Sequence, residues 1–410
     1  MVNTKRFESE FRQISKFGAL QGGGITRLAY SKEDKEAREY LFSLLKDCET
    51  KVDEVGNIFA KFSKGASNPN LPSVSVGSHI DSVPNGGPYD GTLGVMAGLE
   101  AIRCIYESGA SFKRPLELIV FACEESSRFK MATVGSKIVS GKLGLEGIKK
   151  LKDDNDISLY DAMQNFGLNP QNIQNSVLKD THFHSYLELH IEQGRVLEES
   201  EIPVGIVTGI AAPIRFELTI NGRADHSGAT PMNMRKDALV AASKVILQTE
   251  SLASKRATAV ATVGYAKAIP GVLNVIPGSV TLGVDLRDID KDDLNSLNLE
   301  LRDYALNLAT DEGLTYDIKE LTNDTPVKLD SDTINLLEKN ADKLNIQTLK
   351  MPSGAGHDAM HMEGVASKVG MLFIPCKDGI SHNIEESISF SDAVKATEIL
   401  AKTMLDLANE

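Results

Sequence analysis

Residues 76–91, VGSHIDSVPNGGPYDG, pose the question on which the fold turns. Val76 closes the alternating run SVSV, a strand heading into a core. His79, Asp81 and Asp90 then follow among glycine, proline and asparagine. A strand that empties ligand-type side chains into such a loop is either a solvated turn or the lip of a site. The flanking stretches bear on the choice. Upstream, SKEDKEAREYLFSLLKDC (31–48) sets Tyr40, Leu41, Leu44 and Leu45 at helical spacing behind a Ser31 cap. Downstream, GVMAGLEAIRCIYESG (94–109) reads as a buried helix ended by Gly109. LELIVFACEE (116–125) is a continuous apolar run of the kind shown by a strand covered on both faces. YLELHIEQG (186–194) is another strand with a polar end. Alternating helix and strand predicts an α/β fold with a mixed, largely parallel sheet.

The texture changes after residue 210. RFELTINGRA (215–224) alternates like a half-exposed antiparallel strand, and a helix follows at 237–253. Strand-like segments at 257–271 and 279–288 flank a Pro/Gly turn, and a helix at 293–313 leads into LTYDIKEL (314–321). This β-α-β-β-α-β order predicts an inserted α+β unit of ferredoxin-like type. The helix–strand texture returns near residue 330. The expected organisation is a discontinuous first domain, 1–210 and 330–410, interrupted by a smaller one at 211–329.

Bulk properties narrow the function. With 44 basic and 57 acidic residues the net charge is −13, which argues against nucleic acid or an anionic membrane as partner. Four scattered cysteines without CxxC spacing read as reduced thiols. No apolar stretch approaches 18 residues and the start is charged, so a cytoplasmic location is expected.

The candidates for chemistry stand at strand ends: His79, Asp90, the pair Glu124–Glu125, His190 and His382. Each alone could be a solvated loop residue. Together they fit the rule that ligands bind beyond the carboxyl ends of strands in open α/β sheets. A two-metal hydrolytic site needs such a set: imidazoles, carboxylates, one carboxylate able to bridge, and a free acid/base. No HExxH helix and no GxSxG elbow is present, which disfavours the commonest zinc-protease and serine-hydrolase arrangements.

The motifs GSHIDSV, GGPYDG, CEESSRF, LELHIEQG, GRADHSGATPM, NVIPG, DLRD, SGAGHDAM and SHNIEES run in order through nearly the whole chain. Together they resemble the hydantoinase/carbamoylase amidase branch of the M20 di-metal peptidase superfamily. That branch includes N-carbamoyl-L-amino acid hydrolases, allantoate amidohydrolases and β-ureidopropionases. The resemblance implies a di-metal catalytic domain with an inserted dimerisation/lid domain and two divalent ions per subunit (zinc, manganese, cobalt or nickel). His79 and His190 would hold one ion and Glu125 and His382 the other, with Asp90 bridging and Glu124 as general base. Asp81 would stand behind His79 and orient its ring. Peptidase relatives carry aspartate where this branch has His190. For the substrate, Arg287 would pair with a carboxylate, with Gln193 and the Gly354, Ala355 and Gly356 backbone completing the pocket and His357 and Asp358 supporting it. His226 and Asn274 would polarise the scissile carbonyl, the histidine coming from the partner subunit of a homodimer. The implied activity is hydrolysis of the ureido C–N bond of a small carboxylate substrate. A peptidase or deacylase of the same superfamily, and a non-catalytic binding protein on this fold, are the alternatives. Two departures stand out: Ser126 where the family usually has glycine, and Cys123 where an acidic residue is common. His182, His184 and His361 match no family role and read as ordinary surface or core histidines.

Overall fold

The computed structural model describes residues 1–410. Its strands are β1 (Glu49–Val52), β2 (Ile58–Phe62), β3 (Val74–His79), β4 (Leu116–Phe121), β5 (Ser185–Ile191), β6 (Val204–Ile210), β7 (Ala212–Asn221), β8 (Asp225–His226), β9 (Val260–Ile269), β10 (Val275–Ile276), β11 (Ser279–Asp288), β12 (Thr315–Asn323), β13 (Val327–Lys328), β14 (Thr348–Ser353) and β15 (Val369–Ile374). The chain divides into two compact units. One comprises Met1–Thr208, Leu329–Met351 and Gly356–Glu410; the other comprises Gly209–Lys328 and Pro352–Ala355. The short piece Pro352–Ala355 therefore groups with the inserted unit, although its neighbours on both sides belong to the first.

The sheet of the first unit has the order β1-β2-β4-β3-β5-β15-β6. At its centre β4, β3, β5 and β15 are mutually parallel, and the pairings outside them are antiparallel. Those four strands are buried at every position; β4 and β15 are accordingly near-continuous apolar runs, whereas β3 and β5 also carry buried polar residues, Ser75, Ser78 and His79 in β3 and Ser185, Glu188 and His190 in β5. Helix Thr92–Ser108 packs on β3 and β5 beside helix Phe390–Ala408. It ends where Gly109 takes a left-handed conformation at φ 68°. Parallel strands bring their carboxyl ends to one edge. His79 is the last residue of β3, Glu124 and Glu125 lie just past β4, His190 is next to last in β5, and His382 follows β15.

In the second unit the order is β12-β7-β11-β9, all antiparallel. Alternation decides its faces. Ile214, Phe216, Leu218 and Ile220 of β7 and Val280, Leu282, Val284 and Leu286 of β11 point into a core shared with helices Ala238–Ala253 and Lys291–Asp311. Each such side chain contributes about 1.5–3 kcal/mol when fully buried. Arg215 and Glu217 of β7 and Asp285 and Arg287 of β11 fall on the opposite, half-exposed face. No helix in either unit is long and apolar enough to cross a membrane.

Candidate metal centre and active site

Asp90 is the hub of the first unit's polar edge. Its Oδ1 lies 3.4 Å from His79 Nε2 and 3.2 Å from His190 Nε2. Its Oδ2 lies 3.3 Å from His382 Nε2, which in turn is 3.3 Å from Glu125 Oε1. Two groups able to hold a metal ion result, His79–Asp90–His190 and Asp90–Glu125–His382, and the Asp90 carboxylate belongs to both. Glu124 stands beside them, with Oε2 3.7 Å from His79 Nε2.

Local backbone makes this convergence possible. Gly91 sits at φ 62°, and a Cβ there would come within 2.2 Å of His79 Nε2, so only glycine lets the loop carry Asp90 past the imidazole. Gly87 faces the Glu386 carboxyl just as closely. Cys123, Gln193 and His382 all hold left-handed conformations, at φ 56°, 59° and 55°. At Cys123 this turn follows β4 and precedes the two glutamates. Non-glycine residues in this region carry a conformational cost that surrounding structure must offset, and they cluster at functional sites.

The hydrogen bonds behind the cluster show which atoms are left for a cation. His79 Nδ1 is 3.0 Å from the Asp81 carbonyl and His190 Nδ1 is 3.0 Å from the Ile191 carbonyl. Each ring spends its Nδ1–H on a main-chain acceptor, which leaves each Nε2 a lone pair on the side of Asp90; that of His190 also accepts from the Gly91 N–H at 3.2 Å. Lone pairs facing a carboxylate oxygen at 3.2–3.4 Å repel unless a proton or a cation lies between them. Glu125 Oε1 is buried and accepts no hydrogen bond. The titration behaviour says the same. Burial alone would lower the His79 pKa, but Glu124 and Asp90 reverse this and hold it well above the usual imidazole range. The Asp90 and Glu125 carboxylates, each 3.3 Å from its Nε2, raise His382 to about 11. Burial raises Glu124 well above the carboxylate range, opposed by His79 and reinforced by Glu125 and Asp358. Mixed imidazole and carboxylate donors of this kind suit zinc and other divalent first-row ions. The residues fit such ions.

Other expected residues fall as follows. The Asp81 carboxylate does not orient His79, which bonds its carbonyl instead and lies 3.7 Å from Oδ1. That carboxylate accepts from the main-chain N–H groups of Glu124 and Glu125, at 3.2 and 3.0 Å, and so pins the acidic pair. Gln193 Nε2 donates to Asp90 Oδ2 at 2.6 Å, joined by Ser381 Oγ at 2.9 Å. His357 stacks edge-on to His190, centroids 4.5 Å apart, and Asp358 accepts from Ser136 Oγ at 2.5 Å.

In the second unit, β8 pairs with β10, His226 opposite Val275, which puts His226 next to Asn274. His226 Nδ1 accepts from the N–H groups of Gly228 and Ala229 at 3.0 and 3.1 Å. Its proton is therefore on Nε2, and the exposed ring presents a donor. Arg287 pairs with Asp285 through Nε and Nη2, both at 3.1 Å, and donates from Nη1 to the Gly354 carbonyl at 2.8 Å. Three of its five N–H groups are thus engaged, leaving one on each terminal nitrogen. Arg215 Nε shares Asp285 Oδ2 at 2.9 Å. Both arginines line a cavity of about 510 Å³ with Val260, Thr262, Tyr265 and Leu321.

Sequence reasoning missed two contributors. Glu386, inside the SHNIEES motif, accepts from the N–H groups of Tyr89 and Asp90 at 2.7 and 3.2 Å. Ser381 opens the same motif, so the motif was the available signal for both.

The chain was compared with known proteins. The family model for peptidase family M20/M25/M40 matches residues 75–406. An N-carbamoyl-L-amino-acid amidohydrolase from Pseudomonas sp. (strain NS671) is 36% identical over 98% of this chain and 98% of its own length. An allantoate amidohydrolase from Bacillus subtilis (strain 168) is 34% identical over 96% of this chain and 94% of its own. Among solved structures, an amidase of the hydantoinase/carbamoylase family from Burkholderia multivorans superposes with a TM-score of 0.91. It is 33% identical and covers 100% of this chain and 98% of its own.

Proposed function

The chain belongs to the hydantoinase/carbamoylase amidases of peptidase family M20/M25/M40, and on that footing we propose that it is a metal-dependent amidohydrolase. It cleaves the ureido C–N bond of a small carboxylate substrate, an N-carbamoyl-L-amino acid or allantoate, and releases ammonia and carbon dioxide. The observation that carries this reading is the Asp90 carboxylate, one oxygen facing each of two ligand groups, with Glu124 alongside.

An ureido carbonyl is a poor electrophile because two nitrogens share their electrons with it. Divalent ions, when bound by the two groups, supply positive charge toward a carbonyl oxygen and acidify water. The remaining work falls to side chains. Glu124 takes a proton from water onto its carboxylate and returns it to the leaving nitrogen. Asp81 keeps Glu124 and Glu125 in place through their N–H groups. Arg287, held on one edge by Asp285, pairs its remaining donors with the substrate carboxylate. The His226 Nε2–H and the Asn274 amide donate to the carbonyl oxygen as charge develops there. The assignments of Arg287, His226 and Asn274 rest on the family resemblance and on their geometry within the second unit. We assign two ions per subunit and a homodimeric state, the latter to be checked by sedimentation.

The test is ammonia release by metal-loaded protein from N-carbamoyl-L- and D-amino acids, allantoate, 3-ureidopropionate and dipeptides. Ammonia from an ureido compound, abolished in Glu124→Gln while bound metal is retained, is the expected result. Cleavage of dipeptides alone would place the protein on the peptidase side.

A further inference from the structure

Arg27 is 1% exposed, among the largest fully buried side chains in the molecule, and it forms no ion pair. Its guanidinium instead donates to four acceptors from three separate segments. Nε reaches the Ile80 carbonyl at 2.6 Å, Nη2 reaches Thr92 Oγ1 at 2.8 Å, and Nη1 reaches the carbonyls of Ile14 and Phe17 at 3.1 and 2.8 Å. Its main chain exchanges two further bonds with Ser82, both at 2.9 Å.

The places it touches are informative. Ile80 lies between His79 and Asp81. Thr92 opens the helix just after Asp90 and Gly91, and its N–H bonds the Asp90 carbonyl at 2.6 Å. One planar group thus ties the segment bearing His79 and Asp81 to the segment bearing Asp90. A buried cation satisfied only by neutral acceptors is costly, and apolar side chains fill such spaces at less expense. What the guanidinium supplies, and an apolar or ammonium group does not, is several donors fixed in a plane at set angles.

We infer that Arg27 is a positioning residue for the metal centre: it holds the His79 and Asp90 segments at their separation before any ion arrives. The inference rests on the metal reading above. Partners that orient ligands from behind are worth about 10–100-fold in metal affinity. Arg27 acts one step further back, on the backbone that carries the ligands.

The experiment uses the full-length protein, stripped with chelator and titrated separately with Mn²⁺ and Zn²⁺. Wild type is compared with Arg27→Lys and Thr92→Val. The second variant removes a single guanidinium contact and keeps the charge, so it decides the matter if Arg27→Lys does not fold. The readouts are the metal dissociation constant and the Tm of the metal-free form. Weakening of metal binding by tenfold or more in Arg27→Lys, and by a smaller factor in Thr92→Val with the metal-free Tm unchanged, is the expected outcome. A lowered metal-free Tm with unaltered metal affinity would reduce Arg27 to a stabilising role and overturn the inference. Absence of metal binding by the wild type would instead sink the metal reading itself.

Discussion

Acidification from pH 7 to pH 5 should destabilise this protein through one histidine outside the metal centre. His361 closes the short helical turn Asp358–His361 and is 4% exposed. Its Nε2 lies 2.9 Å from Thr133 Oγ1 and its Nδ1 lies 3.3 Å from Lys142 Nζ. An ammonium can only donate, so Nδ1 must keep its lone pair and the ring must be neutral. Burial, with Lys142 and Lys137 adding to it, pulls the pKa down to about 2. In the unfolded chain the same group returns to about 6.5. Its folded pKa is depressed, so the unfolded state takes the proton first, and stability is lost as pH falls below 6.5. Between pH 7 and pH 5 the unfolded imidazole goes from about one-quarter protonated to nearly fully protonated, which costs the folded state about 2 kcal/mol. Against a net stability of about 5–15 kcal/mol for a folded domain that is a large fraction. The assay is urea unfolding followed by circular dichroism, since the chain has no tryptophan. Metal-free protein is used at both pH values, and His361→Gln is run beside wild type to cancel every other titrating group. The variant should lose about 2 kcal/mol less than wild type over that interval. Equal losses would mean that His361 accepts its proton in the folded state, and the reasoning from Lys142 and burial would fail.

Two further outcomes follow from the sites. Asp285→Asn removes the charge that aligns Arg287 and Arg215, so KM for the ureido carboxylate should rise about tenfold with kcat changed less, the pattern of lost ground-state binding. Steady-state kinetics at saturating metal checks this, and an unchanged KM would separate Arg287 from the substrate carboxylate. Gly91→Ala puts a Cβ where the His79 ring stands, 2.2 Å from Nε2. The folded variant should bind less metal per chain than wild type, as measured by elemental analysis after gel filtration.

Much of the framework can be read along the chain because burial on both faces leaves a simple trace. The run that became β15 is apolar throughout, and β4 carries one polar residue, Glu117, whose buried carboxylate accepts from Ser73 Oγ at 2.6 Å. The alternation of β7 announces a sheet with one open face, and Arg215 falls on that face for the same reason that Phe216 does not. Strand ends also betray His79, Glu124 and His190, because polar residues abruptly follow an apolar run. What eludes such reading is anything whose meaning lies in the partner. Asp90 is one carboxylate in a glycine-rich loop until three imidazoles from β3, β5 and the segment after β15 are seen to meet it. The spacing of Asp81 from His79 suggests a carboxylate behind the ring, yet its carbonyl accepts from the ring and its carboxylate accepts from the two glutamates' N–H groups, a division between atoms that residue spacing cannot express. Arg27 is the extreme case. It bonds three backbone carbonyls and one hydroxyl, so no residue type elsewhere in the sequence complements it. A side chain satisfied by main chain has no partner pattern to detect, and only its burial reveals that a charge has been placed where the ligand-bearing segments converge.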